Sequence, residues 1–168
     1  MKQNNVLQVL YDERLVGTLA MTADHKAAFQ YSETWLEDGF PISPFSLPLK
    51  NQVFVPNKDY FDGLFGVFAD SLPDNWGKLL LSRLLRANGE NPDNLTVLER
   101  LAIVGKSGMG ALTYYPEKEM LEKQSHIDLD ELAEQCQKLL NTEYSDKLDE
   151  LYRLGGTSGG ARPKIMTT

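Results

Sequence analysis

Four glycines at positions 155, 156, 159 and 160 frame two hydroxyl residues, Thr157 and Ser158, and are followed by Ala161, Arg162 and Lys164. Glycine adopts positive φ at little steric cost, so successive backbone N–H groups can converge on one anion. The hydroxyls add donors, the two cations add positive charge, and Ile165 to Thr168 could open a β-strand. A glycine loop followed by a lysine and a strand is a phosphate-cradling arrangement of the kind that covers nucleotide phosphates. It matches neither G-x-x-x-x-G-K-[ST] nor G-x-G-x-x-G. A plain flexible terminus is the competing account of the same residues.

Other residues of chemical interest are sparser. Asp70 and Asp74, in the stretch DSLPDNWG, suggest paired carboxylates for acid–base work. A simpler account makes them capping residues at the junction of two helices, with Pro73 at the break and Trp76 packed inside. Lys106 to Gly110 could cradle an anion, but a glycine turn is expected there in any case. One cysteine, Cys136, and two histidines, His25 and His126, are too few to suggest a metal site, and no internal disulfide is possible. Cys136 is expected to be a packed, unreactive thiol on the apolar face of a helix.

These residues must be held by a scaffold whose elements are legible in the pattern of the chain. Residues 6–11 and 15–21 are apolar runs separated by Asp12-Glu13-Arg14, a hairpin signature. Ala27, Phe29 and Tyr31 alternate as a third strand with one buried face. Pro41, Pro44 and Pro48 then punctuate an irregular crossing that ends near Val55-Pro56. Phe61, Leu64, Phe65, Phe68 and Leu72 fall at helical spacing and predict an apolar stripe despite Gly63 and Gly66. A helix over 75–87 follows, with Asp74 as its N-cap and Asn88-Gly89 as its stop. Thr96 and Glu99 form a capping box for a short helix that ends at Gly105. Residues 111–115 form a strand closed by Pro116. A second capping box, Asp128 with Glu131, opens a helix whose apolar face is Leu129, Leu132, Ala133, Cys136, Leu139 and Leu140. A last helix over 145–154 leads into the glycines.

The fold class so predicted is α+β: a small antiparallel β-sheet subdomain with packed helices over 1–116, a helical connector over 117–154, and the glycine-rich loop over 155–168. At 168 residues and 42% hydrophobic content the chain can bury a real core. Its formal net charge of -7, from 24 acidic and 17 basic residues, disfavours direct nucleic-acid binding, which needs clustered Lys and Arg. No signal peptide and no run of roughly 20 apolar residues is present, so a cytoplasmic protein without membrane contact is expected.

Three segments, FGVFADSLPDNWGKLLLSRLL, LTVLERLAIVGKSGMGALTYYP and LGGTSGGARPK, together resemble the HipA family of bacterial serine/threonine kinases, the toxins of type II toxin–antitoxin modules. The opening LYDERLVGTLAMTADHKAAFQYSETWL is similar to the family's N-terminal subdomain, so the resemblance covers essentially the whole chain. It implies a two-lobed enzyme that uses ATP and magnesium and phosphorylates protein substrates such as an aminoacyl-tRNA synthetase. It also implies a HipB-like antitoxin that binds both the kinase and operator DNA, so that DNA is reached only through the antitoxin; a homodimer is possible.

On this resemblance, Gly159, Gly160, Ala161 and Lys164 would lie beside ATP, and Thr157 or Ser158 would be the autophosphorylated residue. About two added negative charges there would repel nucleotide phosphates, a physically sensible switch. The resemblance also marks a departure. Such kinases carry a catalytic Asp in a D-x-H-x-K-N-like loop and a later metal-binding Asp, and neither occurs in these residues. The chain is therefore expected to contain no catalytic residue, to hold no ATP or magnesium by itself, and to be inactive as an N-terminal fragment. A loop with no lobe to cover is also expected to be poorly ordered. The alternative is a self-standing regulatory protein that binds and restrains a separate HipA-type kinase chain.

Overall fold

The computed structural model describes residues 5–118, 129–141, 143–145, 147–156, 160 and 162–163. The architecture is α+β, as expected, and the chain divides into two compact units. One comprises Met1–Leu72 with Leu95–Glu119, the other Pro73–Asn94 with Met120–Thr168.

Strand β1 (Val6–Tyr11) turns into β2 (Arg14–Met21) through Asp12 and Glu13, whose φ values of 47° and 62° are both positive. Two positive φ angles in a two-residue loop match the twist of the flanking strands, which is why the hairpin closes this tightly without glycine. β2 pairs with β3 (Ala27–Tyr31), β3 with the two-residue edge strand β4 (Val53–Phe54), and β1 with β5 (Leu112–Tyr115). Among the described residues this gives one antiparallel sheet of order β4-β3-β2-β1-β5. β5 thus returns from far along the chain to cover the open side of the hairpin.

The core of this unit gathers Leu7, Val9, Val16, Leu19, Phe29 and Tyr31 from the sheet with Trp35, Phe68, Leu98 and Leu101 from the helices and Leu64 from an extended step between elements. Trp35 belongs to a short helix α1 (Glu33–Asp38) that the sequence pattern did not bring out. Ser32 caps it, accepting from the Trp35 N–H at 3.2 Å while its own hydroxyl donates to the Leu15 carbonyl at 2.8 Å. The proline-rich crossing is pinned by Tyr31, whose hydroxyl donates to the Leu47 carbonyl at 2.6 Å and accepts from the Ile42 N–H at 3.1 Å.

Helix α4 (Val97–Val104) opens with the expected capping box: Thr96 Oγ1 accepts from the Glu99 N–H at 3.2 Å, and Glu99 Oε2 accepts from the Thr96 N–H at 2.9 Å.

The stripe from Phe61 to Leu72 requires a correction. Instead of one helix, the chain makes a 3-10 turn at Tyr60–Gly63, an extended step through Leu64 and Phe65, and the one-turn helix α2 (Gly66–Ala69). Phe61 and Asp62 are left-handed (φ 58° and 55°) and Gly63 follows at φ 80°. Each interior glycine costs a helix roughly 1 kcal/mol against alanine, so two of them made continuous helix the weaker choice. Leu64 and Phe68 still reach the core, whereas Phe61 is 60% exposed.

Burial gives this unit a pH dependence. Tyr114 on β5 is 1% exposed and donates its hydroxyl to Ser71 Oγ at 2.7 Å. Desolvation pushes its pKa from 10.0 up to about 12, with the Ser71 bond opposing and the Asp70 charge adding. Above pH 10 the unfolded chain loses this proton while the folded chain keeps it, so stability present below pH 10 is lost as pH rises toward 12. The expected loss is about 2–3 kcal/mol across that window. Denaturant unfolding at successive alkaline pH values should show the slope, and Tyr114→Phe should reduce it, leaving the part owed to the other buried tyrosines, Tyr31 and Tyr152.

Candidate functional site

Gly155, Gly156 and Gly160, the described glycines of the segment, belong to the second unit, where two helices position them. Helix α3 (Asn75–Ala87) buries Trp76, Leu80, Leu81, Leu84 and Leu85. Its C-terminal stop is the expected one, with Asn88 as C-cap and Gly89 at φ 75°. Asp74 occupies the N-cap position but makes no side-chain cap bond. Helix α6 (Leu148–Gly155) packs on α3 and buries Leu148, Leu151 and Tyr152. Between them in sequence lies α5 (Leu129–Leu140), fastened by Arg83, which donates to the Leu139 carbonyl and the Glu143 carbonyl, each at 3.1 Å.

The apolar face predicted for α5 needs adjustment. Leu132, Gln135 and Leu139 are buried and Cys136 is half-buried, while Ala133 is exposed and Leu140 is 53% exposed. The polar Gln135 thus faces inward, and Ala133, expected on the apolar face, faces outward. Burial pushes the Cys136 thiol pKa up, in keeping with a packed cysteine. The Asp128–Glu131 capping box lies outside what the structure describes.

Close approach of backbone to backbone governs the start of the glycine segment. Gly77, in the first turn of α3, lies so near the Gly156 carbonyl that a Cβ at Gly77 would collide with it; Pro73 Cβ would stand 2.7 Å away. Gly156 has ordinary right-handed backbone angles (φ -65°, ψ -24°), so its need for glycine is spatial: a Cβ there would run into the Tyr152 ring. Gly160 is the opposite case, with φ 112°, and its carbonyl accepts from the Trp76 N–H at 3.3 Å. Gly156 and Gly160 are thereby both fitted against the first turn of α3.

Of the residues the sequence placed in a nucleotide or regulatory site, Gly160 alone is described, and what it contributes here is a carbonyl acceptor. Thr157, Ser158, Gly159, Ala161 and Lys164 lie outside the described residues. Arg162 is exposed. Asp70 and Asp74, the candidate carboxylate pair, belong to different compact units. The turn after α4 acts as a helix stop: Gly105 is at φ 50°, and the Val104 carbonyl accepts from the Ser107 N–H at 2.8 Å and from the Ser107 hydroxyl at 2.7 Å.

Two buried polar atoms in the second unit have no partner among the described residues: the Tyr152 hydroxyl and Gln135 Oε1. No sequence signal marks either one. Tyr152 is 3% exposed, and desolvation drives its pKa far above the usual tyrosine value. An unsatisfied buried hydroxyl costs about 1–3 kcal/mol, so Tyr152→Phe is expected to stabilise the unit by about 1 kcal/mol. Thermal unfolding should register this as a gain of about 2–4 °C.

A five-stranded α+β unit, closed by a late-returning strand and accompanied by a helical unit that seats a glycine segment, is the class of domain these observations define. Residues 7–115 match the HipA N-terminal domain, and the chain belongs to that family. Among solved structures it is similar to a chain of the HipA, HipB and operator DNA complex of a toxin–antitoxin system from Shewanella oneidensis MR-1. The TM-score is 0.51 and the identity 22%, over 84% of this chain. The matched region is 31% of that chain, so this protein spans about a third of its length. No curated protein matches. Among the described residues no helix is long and apolar enough to cross a membrane.

Proposed function

We propose that this chain is the N-terminal part of a HipA-like serine/threonine protein kinase toxin of a toxin–antitoxin module, and that it carries no phosphoryl-transfer activity by itself. The observation that carries the reading is the order of parts: a HipA N-terminal domain over 7–115, followed by helices that deliver a glycine segment with two hydroxyls. The Shewanella complex, which joins HipA to HipB and operator DNA, supports a HipB-like antitoxin as partner. Contact with DNA would then run through the antitoxin, as the net charge of -7 also favours. In the complete kinase Gly159, Gly160, Ala161 and Lys164 would line the ATP and magnesium site, with Thr157 or Ser158 as the regulatory phosphosite.

Calorimetry with Mg-ATP tests the first half. The 168-residue chain should show no affinity at micromolar concentration, because metal-binding and base carboxylates act together with the glycine loop. Tight binding would sink the claim that the pocket is incomplete. In a longer protein carrying this segment, replacing both Thr157 and Ser158 by Ala should abolish phosphate incorporation into the loop. A second reading, a regulator that restrains a separate HipA-type kinase chain, draws on the matched domain's confinement to 7–115. Inhibition of such a kinase by this chain added in trans would favour it over the first.

A further inference from the structure

The first unit carries a cleft of about 280 Å³ between the end of β1, the proline-rich crossing, α2 and the turn before β5. Its walls are apolar and aromatic, with Tyr11, Phe40, Val67 and Leu112 prominent. Tyr11 and Phe40 meet edge to face with ring centroids 5.3 Å apart, and Trp35 buttresses Phe40 from behind at 5.1 Å. Phe40 is nevertheless 47% exposed, so the aromatic wall is presented to solvent.

One charged residue lines this cleft, Asp70, and no cation among the described residues is paired with it. Ser71 stands beside it. The Ser71 hydroxyl already accepts the Tyr114 proton at 2.7 Å, which leaves its own proton and a lone pair for a further partner.

We propose that this cleft receives an arginine side chain presented by a partner protein. An apolar slot with aromatic walls and a single exposed carboxylate, unpaired among the described residues, is complementary to a planar cation on an aliphatic stem. The guanidinium stacks on aromatic faces and offers paired N–H donors to a carboxylate, which an ammonium does not. The stem covers the apolar wall while the charge meets Asp70. The volume favours a side chain over a free metabolite. It falls just below the roughly 300 Å³ at which small-molecule sites begin, and an exposed carboxylate leaves a small ligand poorly enclosed. An arginine mounted on a protein is held additionally by the surface around the cleft. The inference is independent of the kinase reading, because it uses only residues of the first unit.

The test titrates the 168-residue chain with three probes followed by amide and side-chain NMR shifts: N-acetylarginine N-methylamide, n-butylguanidinium, and the neutral isostere n-butylurea. The arginine derivative is expected to shift resonances of Tyr11, Phe40, Gly110 and Ala111 saturably. Butylurea should bind about ten- to a hundredfold more weakly, the factor a charge-assisted bond contributes. Asp70→Asn keeps shape and removes charge at an exposed position, so it should fold normally and abolish the preference for the cation. Equal binding of butylurea, an unchanged preference in Asp70→Asn, or no saturable shift with the arginine derivative would each overturn the proposal. Binding of butylguanidinium without the arginine derivative would also overturn it, assigning the cleft to a free small cation.

Discussion

Gly77→Ala is expected to destabilise the second unit by about 1–3 kcal/mol and to lift the glycine segment away from α3. Two effects compete. Alanine in a helix gains roughly 1 kcal/mol of propensity over glycine. Against this, its Cβ would enter the space of the Gly156 carbonyl, and that obstacle is backbone, not the flexible end of a side chain. The backbone must therefore move, and with it the bond from the Trp76 N–H to the Gly160 carbonyl. Amide exchange followed by mass spectrometry should show faster exchange in α3 and α6 and unchanged exchange in β1 to β3. A variant at least as stable as the parent would show that the Gly77–Gly156 approach is not a constraint.

Phe29→Ala should be more costly still, about 3–5 kcal/mol. Phe29 is fully buried, meets Tyr31 at 4.9 Å and Phe68 at 5.2 Å between ring centroids, and its ring lies over Gly17 of the neighbouring strand. Gly17 has no side chain to fill the space that the ring leaves, so the cavity should persist. Thermal unfolding should report the loss, at about 2–4 °C of melting temperature per kcal/mol. A cost below about 1 kcal/mol would mean that the core collapses into the void.

The sequence made some elements plain because their signals are local. The β1–β2 hairpin, the Thr96–Glu99 box and the Asn88-Gly89 stop each depend on residues within a few positions of one another. The break at Phe61–Gly63 was hidden because periodicity reads apolar spacing and ignores φ; Phe61 keeps the right spacing while standing in the left-handed region. α1 escaped because six residues offer little periodicity, although Ser32 followed by Glu33 is a start signal. The inward turn of Gln135 and the placing of Tyr11, Phe40 and Asp70 around one cleft depend on tertiary packing, which no window along the chain contains. The glycine segment was legible as a motif. Its fit against Gly77 was not, since nothing in the sequence pairs residue 77 with residue 156.

The two compact units alternate along the chain, each assembled from two stretches separated by a stretch of the other. During synthesis, therefore, neither unit can be finished before the other has begun. When Phe68 leaves the ribosome, the partner strand for the outer side of β1 is still more than forty residues from emerging. α3 emerges next, with Leu80, Leu84 and Leu85 uncovered, and waits longer for Leu148 and Leu151. A nascent chain halted between these points would expose both an unpaired strand edge and an apolar helix face, the two features that recruit chaperones or seed aggregation.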